Sequence, residues 1–352
     1  MTDKQYALSN KGRLKQEVWT VPAILQARAE LSCDANAMWK YETADETWRP
    51  TSWGGFRDSA AQIAAGLKHL KLAPGERVGI LAPTSQHWDM LQMGVLAAQG
   101  VVVGLDPHDL DDNLNFIAQQ CKLSGLVVQD LSWLDRFGND VRNQLRFVVH
   151  LHPDREQEQG IAYEDLIRLV DVHPMQQWYS AKPDAAATII FTSGTSGAPK
   201  GIQYTHRQLC LAVASIIEAF PYIDEGQQVI CWLPLSNMFQ RIINLAAIVC
   251  GAQTYYLEDP RAIMLHIGTI EPYFFIGVPY FYEKLYAGMM DKINQQPPWQ
   301  QAIIAWALRV GNRHAKLLRD GKRITTLQRF HHGLADYLVL QRLRKVVGTN
   351  LH

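Results

Sequence analysis

The amino-acid sequence predicts an α/β protein whose mostly parallel sheets are flanked by helices. Three observations lead there. Runs that are apolar throughout, such as "VVVGL" (101–105) and "GLVVQD" (125–130), read as strands covered on both faces. Helix-periodic segments alternate with these runs instead of clustering apart from them. A chain of 352 residues can also bury a large core, enough for one large domain or two α/β units.

The elements follow in order from about residue 55. "DSAAQIAAGLKHLK" puts Ile63, Leu67 and Leu70 on one helical face, and "ERVGILAP" supplies Val78, Ile80 and Leu81 ahead of a proline turn. "WDMLQMGVLAAQG" reads as a helix ended by Gly100, followed by the strand "VVVGL", the helix "DDNLNFIAQQC" and the strand "GLVVQD". The polar stretches 154–160 and 171–185 read as connections. They suggest an N-terminal lobe over 1–180 and a second lobe over 181–352, opened by the strand "ATIIF". Beyond it, "HRQLCLAVASIIEAF" and "FQRIINLAAIVCG" read as helices, and "QQVICWLPL", "AQTYYL" and "PYFFIGVP" as strands. From Tyr280 onward helices dominate, including "WQQAIIAWALRVGNRHAKLL" and "ADYLVLQRLRKVVG".

Composition narrows the function classes. Lysine plus arginine equal aspartate plus glutamate at 34 each, so no global charge bias points to nucleic acid. The basic stretches "GNRHAKLLRDGKR" and "RLRKVVG" lack interleaved aromatic stacking partners and read as solvated helix faces. Five widely spaced cysteines form neither a zinc pattern nor a disulfide framework, which suggests a reducing, cytoplasmic compartment. His331 and His332 have no third ligand at metal-site spacing. The N-terminal segment lacks the apolar core of a signal peptide, and no window reaches the roughly 20 apolar residues of a spanning helix. Ten tryptophans leave room for peripheral membrane association, and a homodimer is likewise left open.

The stretch with most chemical content is "TSGTSGAPKG" at 192–201. Gly194 and Gly197 let backbone N–H groups converge while the hydroxyls add neutral donors, an arrangement suited to phosphate oxygens, and Lys200 adds positive charge. The same residues also read as a polar turn closed by Pro-Lys-Gly. The loop is not a Walker-type P-loop, because Pro199 precedes the lysine and Gly201 follows it.

This stretch resembles the phosphate-binding signature of the adenylate-forming enzymes, the superfamily of acyl-CoA synthetases, luciferases and peptide-synthetase adenylation domains. "YTHRQL" is similar to the family's histidine-containing helix start, and "ERVGILAPTSQHWDMLQMGVLAAQGVVVGLDP" to its N-terminal lobe. "WLPLSNMFQR" and "FFIGVPYFYEKLYAGM" resemble segments of long-chain fatty-acid-CoA ligases. The resemblance implies the fold of the large N-terminal domain, with stacked sheets. It also implies activation of a carboxylic acid by ATP with Mg2+, followed by transfer of the acyl group to CoA.

By match to the motif, Thr192, Ser193, Gly194, Thr195, Ser196 and Gly197 would wrap the β- and γ-phosphates with Lys200 assisting. Thr195 and Lys200 would act on the reaction itself, stabilising charge on the pyrophosphate leaving group. Asn237, Met238 and Phe239 would lie beside the nucleotide and acyl pocket, and Gly277, Val278 and Pro279 in the acyl-pocket wall. His206 would either touch substrate or simply cap and pack its helix. Three positions depart from the pattern: Asn237 stands for the usual histidine, Gln240 for glutamate and Tyr280 for arginine. They would adjust substrate contacts or merely satisfy a loop. The later family segments "SGGAPL", "GYGxTE" and "TGD" and the adenylation lysine do not occur. The expectation is therefore a truncated domain of a longer ligase, with little turnover by residues 1–352 alone. The alternatives are a non-catalytic acyl- or nucleotide-binding paralogue and a subunit completed by a partner domain.

Overall fold

Residues 101–105 and 125–128 enter a seven-stranded sheet, as their unbroken apolar pattern predicts. The computed structural model describes residues 20–152, 160–170, 181–192 and 199–344. The chain divides into two compact units, Met1–Pro260 and Arg261–His352.

The first unit contains, in order, α1 (Val21–Leu31), β1 (Asn36–Glu42), β2 (Thr47–Ser52), α2 (Trp53–His69), β3 (Arg77–Leu81), α3 (Gln86–Ala97), β4 (Val101–Leu105), α4 (Asp111–Cys121) and β5 (Gly125–Val128). It continues with α5 (Asn139–Gln144), β6 (Phe147–His150), β7 (Ile161–Ala162), α6 (Tyr163–Leu166), β8 (Ala186–Thr192), β9 (Lys200–Thr205), α7 (His206–Ala219), β10 (Gln228–Cys231), α8 (Met238–Cys250) and β11 (Gln253–Tyr256).

The larger sheet has the order β7-β6-β5-β3-β4-β8-β9, and every neighbouring pair is parallel except the hairpin β8–β9. The smaller sheet runs β10-β11-β1-β2, parallel apart from β1–β2. Side chains alternate across the large sheet. Val78, Ile80, Val102 and Val127 join the core that contains Trp53, Phe56 and Trp88, while Leu81, Val103, Leu105, Leu126 and Val128 join a second core with Leu114 and Phe137. Covering both faces is what requires the continuous apolar runs.

The lobe boundary expected between 180 and 181 is not where the chain divides. β8 lies beyond that point yet pairs with β4 through Val102↔Thr188 and Val103↔Ile189, so one sheet takes strands from both sides. Two hairpins were also absent from the sequence reading. β1 and β2 alternate charged with aromatic residues and flank "TADE", a weaker signal than an apolar run, and β9 is a mostly exposed edge strand.

Local chemistry fixes the helix ends. Ser52 and Ser85 accept from Gly55 N–H and Trp88 N–H, and Thr205 with Gln208 forms a capping box at α7. The C-terminus of α8 is capped from another element. The guanidinium of Arg28 on α1 is fully buried and donates to Ile248 O at 3.0 Å and Val249 O at 2.7 Å. A cation on these last-turn carbonyls opposes the negative end of the helix dipole. Gly251 then ends α8 with φ +76°, and a side chain there would also collide with Arg28.

The second unit is helical: α9 (Ile263–Ile270), α10 (Pro279–Asn294), α11 (Pro298–Arg319), α12 (Thr326–Ala335) and α13 (Gln341–Arg344), with a π-helical turn at Asp336–Leu340. Ala307, Ala335 and Val339 form a small core against Ile304, Trp306, Val310, Leu340 and Leu343. The expected strand "PYFFIGVP" is not formed; only an isolated bridge occurs, at Phe274. Pro272 and Pro279 lack the N–H donors a strand needs at both ends of the run, and Pro279 instead starts α10. Among the described residues no helix is long and apolar enough to cross a membrane.

Candidate nucleotide phosphate site

The glycine- and hydroxyl-rich loop emerges from the carboxyl end of β8, beside the end of the parallel strand β4. That end of an open α/β sheet is where ligands bind, because strand-to-helix connections diverge there. Ser193, Gly194, Thr195, Ser196 and Gly197 lie outside the described residues. The loop's two ends are defined. Thr192 and Lys200 are direct cross-strand partners in the β8–β9 hairpin, and both are exposed. The hairpin therefore holds a hydroxyl and an ammonium together at the mouth of the loop. That donor set, with the hydroxyls and glycines between, fits phosphate oxygens.

A buried polar cluster stands behind this end of the sheet. Arg241 on α8 is 1% exposed; its Nη1 donates to Thr188 Oγ1 at 2.9 Å, its Nε donates to Gln92 Oε1, and its guanidinium lies 5.2 Å from the Trp88 ring centroid. The Thr188 hydroxyl in turn donates to Val102 O at 2.7 Å. Asp89 accepts from Tyr256 Oη and Asn244 Nδ2, each at 2.6 Å, and from Gln92 Nε2 at 3.2 Å. α3, α8, β4, β8 and β11 are thus tied by one network.

Burial pushes the Asp89 carboxyl above the usual carboxylate range, opposed by hydrogen bonds from Tyr256 and Asn244 and by the Arg241 charge. Burial also lowers Arg241 to about 10, so it keeps its charge at neutral pH. The cluster contains no exposed reactive group. It ties β8 to α8 through Thr188 and Arg241. Sequence reading did not single out Asp89 or Arg241, although an arginine inside "MFQRIINLAAIVC" and an aspartate inside "HWDMLQM" were available signals.

The segment 232–237 crosses the same end of the sheet. Thr84, just after β3, donates to Leu233 O at 3.0 Å, and the Ser236 backbone lies against Gly104 of β4. Asn237 is the exposed N-cap residue of α8 and makes no side-chain capping bond. Met238 packs partly into the core, and Phe239 is 53% exposed. The three expected acyl- or nucleotide-side residues therefore sit at a helix N-terminus beside the sheet end. Gln240 turns inward. It accepts from Leu233 N–H at 3.4 Å and donates to Asn244 Oδ1 at 2.9 Å, so it satisfies this loop.

Gly277, Val278 and Pro279 belong to the second unit, where Gly277 lies under the Tyr282 ring and Pro279 begins α10. Tyr280 is exposed and carries Lys284 Nζ 4.8 Å from its ring centroid.

His206 is 1% exposed, and its Nδ1 accepts from Val21 N–H, at the start of α1, at 3.3 Å. Burial pushes its pKa down to about 4 from 6.5. The folded protein therefore holds it neutral where the unfolded chain protonates it. That contribution to stability is complete above pH 6.5 and is lost as pH falls towards 4. It amounts to about 3 kcal/mol. Urea unfolding at both ends of this window should show a smaller acid loss for His206→Asn than for the parent chain, and equal losses would assign the acid sensitivity elsewhere.

Comparisons with known proteins agree with this architecture. Among solved structures, ATP-bound MatB from Rhodopseudomonas palustris is 19% identical, with a TM-score of 0.64 over 76% of this chain and 50% of that one. The profile of the family described as AMP-binding enzyme matches residues 25–346, and the chain belongs to that family. The human long-chain-fatty-acid–CoA ligase ACSBG2 is 22% identical over 315 residues, 86% of this chain and 47% of its own length. The rat long-chain-fatty-acid–CoA ligase ACSBG1 is 25% identical over 319 residues, 86% of this chain and 44% of its own length. The chain thus spans less than half the length of these two relatives.

Proposed function

We propose that the chain contributes the phosphate-holding part of a ligase that activates a fatty acid with Mg-ATP and passes the acyl group to CoA. The observation that carries this reading is the exposed Thr192↔Lys200 pair, which closes a loop of hydroxyls and glycines at the carboxyl end of a parallel sheet. In this reading the loop donors and Lys200 hold the β- and γ-phosphates in line with the incoming carboxylate. Charge that builds on pyrophosphate as it leaves is met by groups already in place, which lowers the barrier without a protein nucleophile. Magnesium carried by the ATP substrate would neutralise part of the phosphate charge, beside Lys200 and the loop donors. The match to long-chain-fatty-acid–CoA ligases supports a fatty substrate and CoA as acceptor. Each further methylene buried in an acyl pocket would add about 0.8 kcal/mol to binding.

The test is fatty-acid-dependent exchange of pyrophosphate into ATP by the full-length protein. Replacing Thr195 and Ser196 together by alanine should reduce exchange roughly 10²- to 10³-fold, the cost of removing preorganised donors. Residues 1–352 alone should show little or none. Absence of exchange with short, medium and long acids would remove this reading for those substrates. A second reading, acyl or nucleotide binding without turnover, is favoured by the uncharged Asn237 at the exposed start of α8. Calorimetry that detects fatty-acid binding with no exchange would select it.

A further inference from the structure

The helix formed by α12 and the following π-helical turn is apolar on two sides. One side places Ala335 and Val339 in the small core with Ala307 of α11. The opposite side carries Leu327, Phe330, Leu334, Tyr337 and Leu338, all exposed, with Phe330 at 67% and Tyr337 at 75%. Their spacing makes one continuous stripe about 16 Å long at 1.5 Å per residue. An ordinary solvated helix would place polar residues there.

Charge surrounds the stripe on one sign. The whole chain is neutral, yet residues 261–352 hold thirteen lysines and arginines against five aspartates and glutamates. Over 298–344 the count is nine against two. Both acids are already paired, Asp320 with Lys322 and Asp336 with Arg344. Arg323 precedes the stripe and Arg342 follows it, and neither makes an ion pair among the described residues. Arg309, Arg313, Lys316 and Arg319 add an acid-free stretch on α11.

We propose that this face of α12 seats on an anionic lipid surface. The stripe enters the boundary between headgroups and acyl chains, and the flanking arginines meet lipid phosphates. Charge complementarity selects lipid over a neutral apolar partner. A helix with an apolar face and cationic flanks lies in the plane of such an interface, with its aromatic rings at headgroup level. The proposal needs no nucleotide and is independent of the ligase reading.

Co-sedimentation of the full chain with phosphatidylcholine vesicles, with and without phosphatidylserine, tests it. Binding is expected only with phosphatidylserine, and it should weaken as salt rises. Phe330→Glu with Tyr337→Glu, and separately Arg323→Glu with Arg342→Glu, should each lower the bound fraction at least roughly tenfold. Both pairs are at the surface, so urea midpoints should match the parent and separate lost docking from lost folding. Equal binding to both vesicle types, no binding, or binding indifferent to both variants would overturn the proposal. Inorganic phosphate that competed as well as vesicles would also overturn it, by reducing the site to a phosphate contact. A lipid-free dimer abolished by the Phe330 and Tyr337 changes would overturn it in favour of a second copy of the chain.

Discussion

Replacing Arg241 with methionine is expected to lower the unfolding free energy by about 3–5 kcal/mol, the usual cost of stranding a buried charge. Methionine replaces most of the aliphatic volume but none of the donors. Gln92 Oε1 would lose its Arg241 donor, Thr188 Oγ1 would lose an incoming hydrogen bond, and Asp89 would remain buried without the opposing charge. The double change Arg241→Met with Asp89→Asn should recover a substantial part of the loss. No lone charge then remains, and the introduced amide oxygen can still accept from Tyr256. Urea unfolding of the two single variants and the double gives the coupling directly. If Arg241→Met costs less than about 1 kcal/mol, the cluster does not hold β8 against α8 as described.

Gly104→Val should have the second large effect. A Cβ at this position would lie 2.8 Å from Ser236 Cα and 2.9 Å from Ser236 O, both backbone atoms that cannot rotate away. Gly104 is itself held in register with Ile80 of β3, so relief has to come from the 232–237 segment. Overpacking of this kind costs about 1–3 kcal/mol. It should also displace the start of α8, where Asn237, Met238 and Phe239 stand. Under the proposed ligase reading, pyrophosphate exchange should therefore fall further than stability alone accounts for. Gly288→Ala is the contrasting case. Gly288 lies within α10 with open space around it, and alanine there should stabilise the helix by about 0.5–1 kcal/mol. A Gly104→Val protein with parent stability and activity would show that segment 232–237 yields freely.

The parallel strands and the helices between them were legible because both faces of the large sheet are buried, which forces apolar runs that composition alone does not imitate. The stretch 192–201 offers itself to phosphate by its composition of glycines and small hydroxyl residues, and of it the described residues include only Thr192, Pro199, Lys200 and Gly201. The hairpins β1–β2 and β8–β9 were missed because each is partly exposed and mixes charged or polar residues into its strands. "PYFFIGVP" was misread because apolarity alone does not distinguish a strand from a buried connection between prolines.

By itself the sequence determined the α/β class, the order of most elements and the family resemblance. Tertiary structure alone decided that one sheet runs through the expected lobe boundary, that His206 accepts from the start of α1, and that Arg241 reaches Thr188 while Asp89 is held by Tyr256 and Asn244. The physical reason is range. Periodicity and turn chemistry act over a few residues, whereas the cluster joins side chains up to 167 positions apart, at distances that only the completed packing sets.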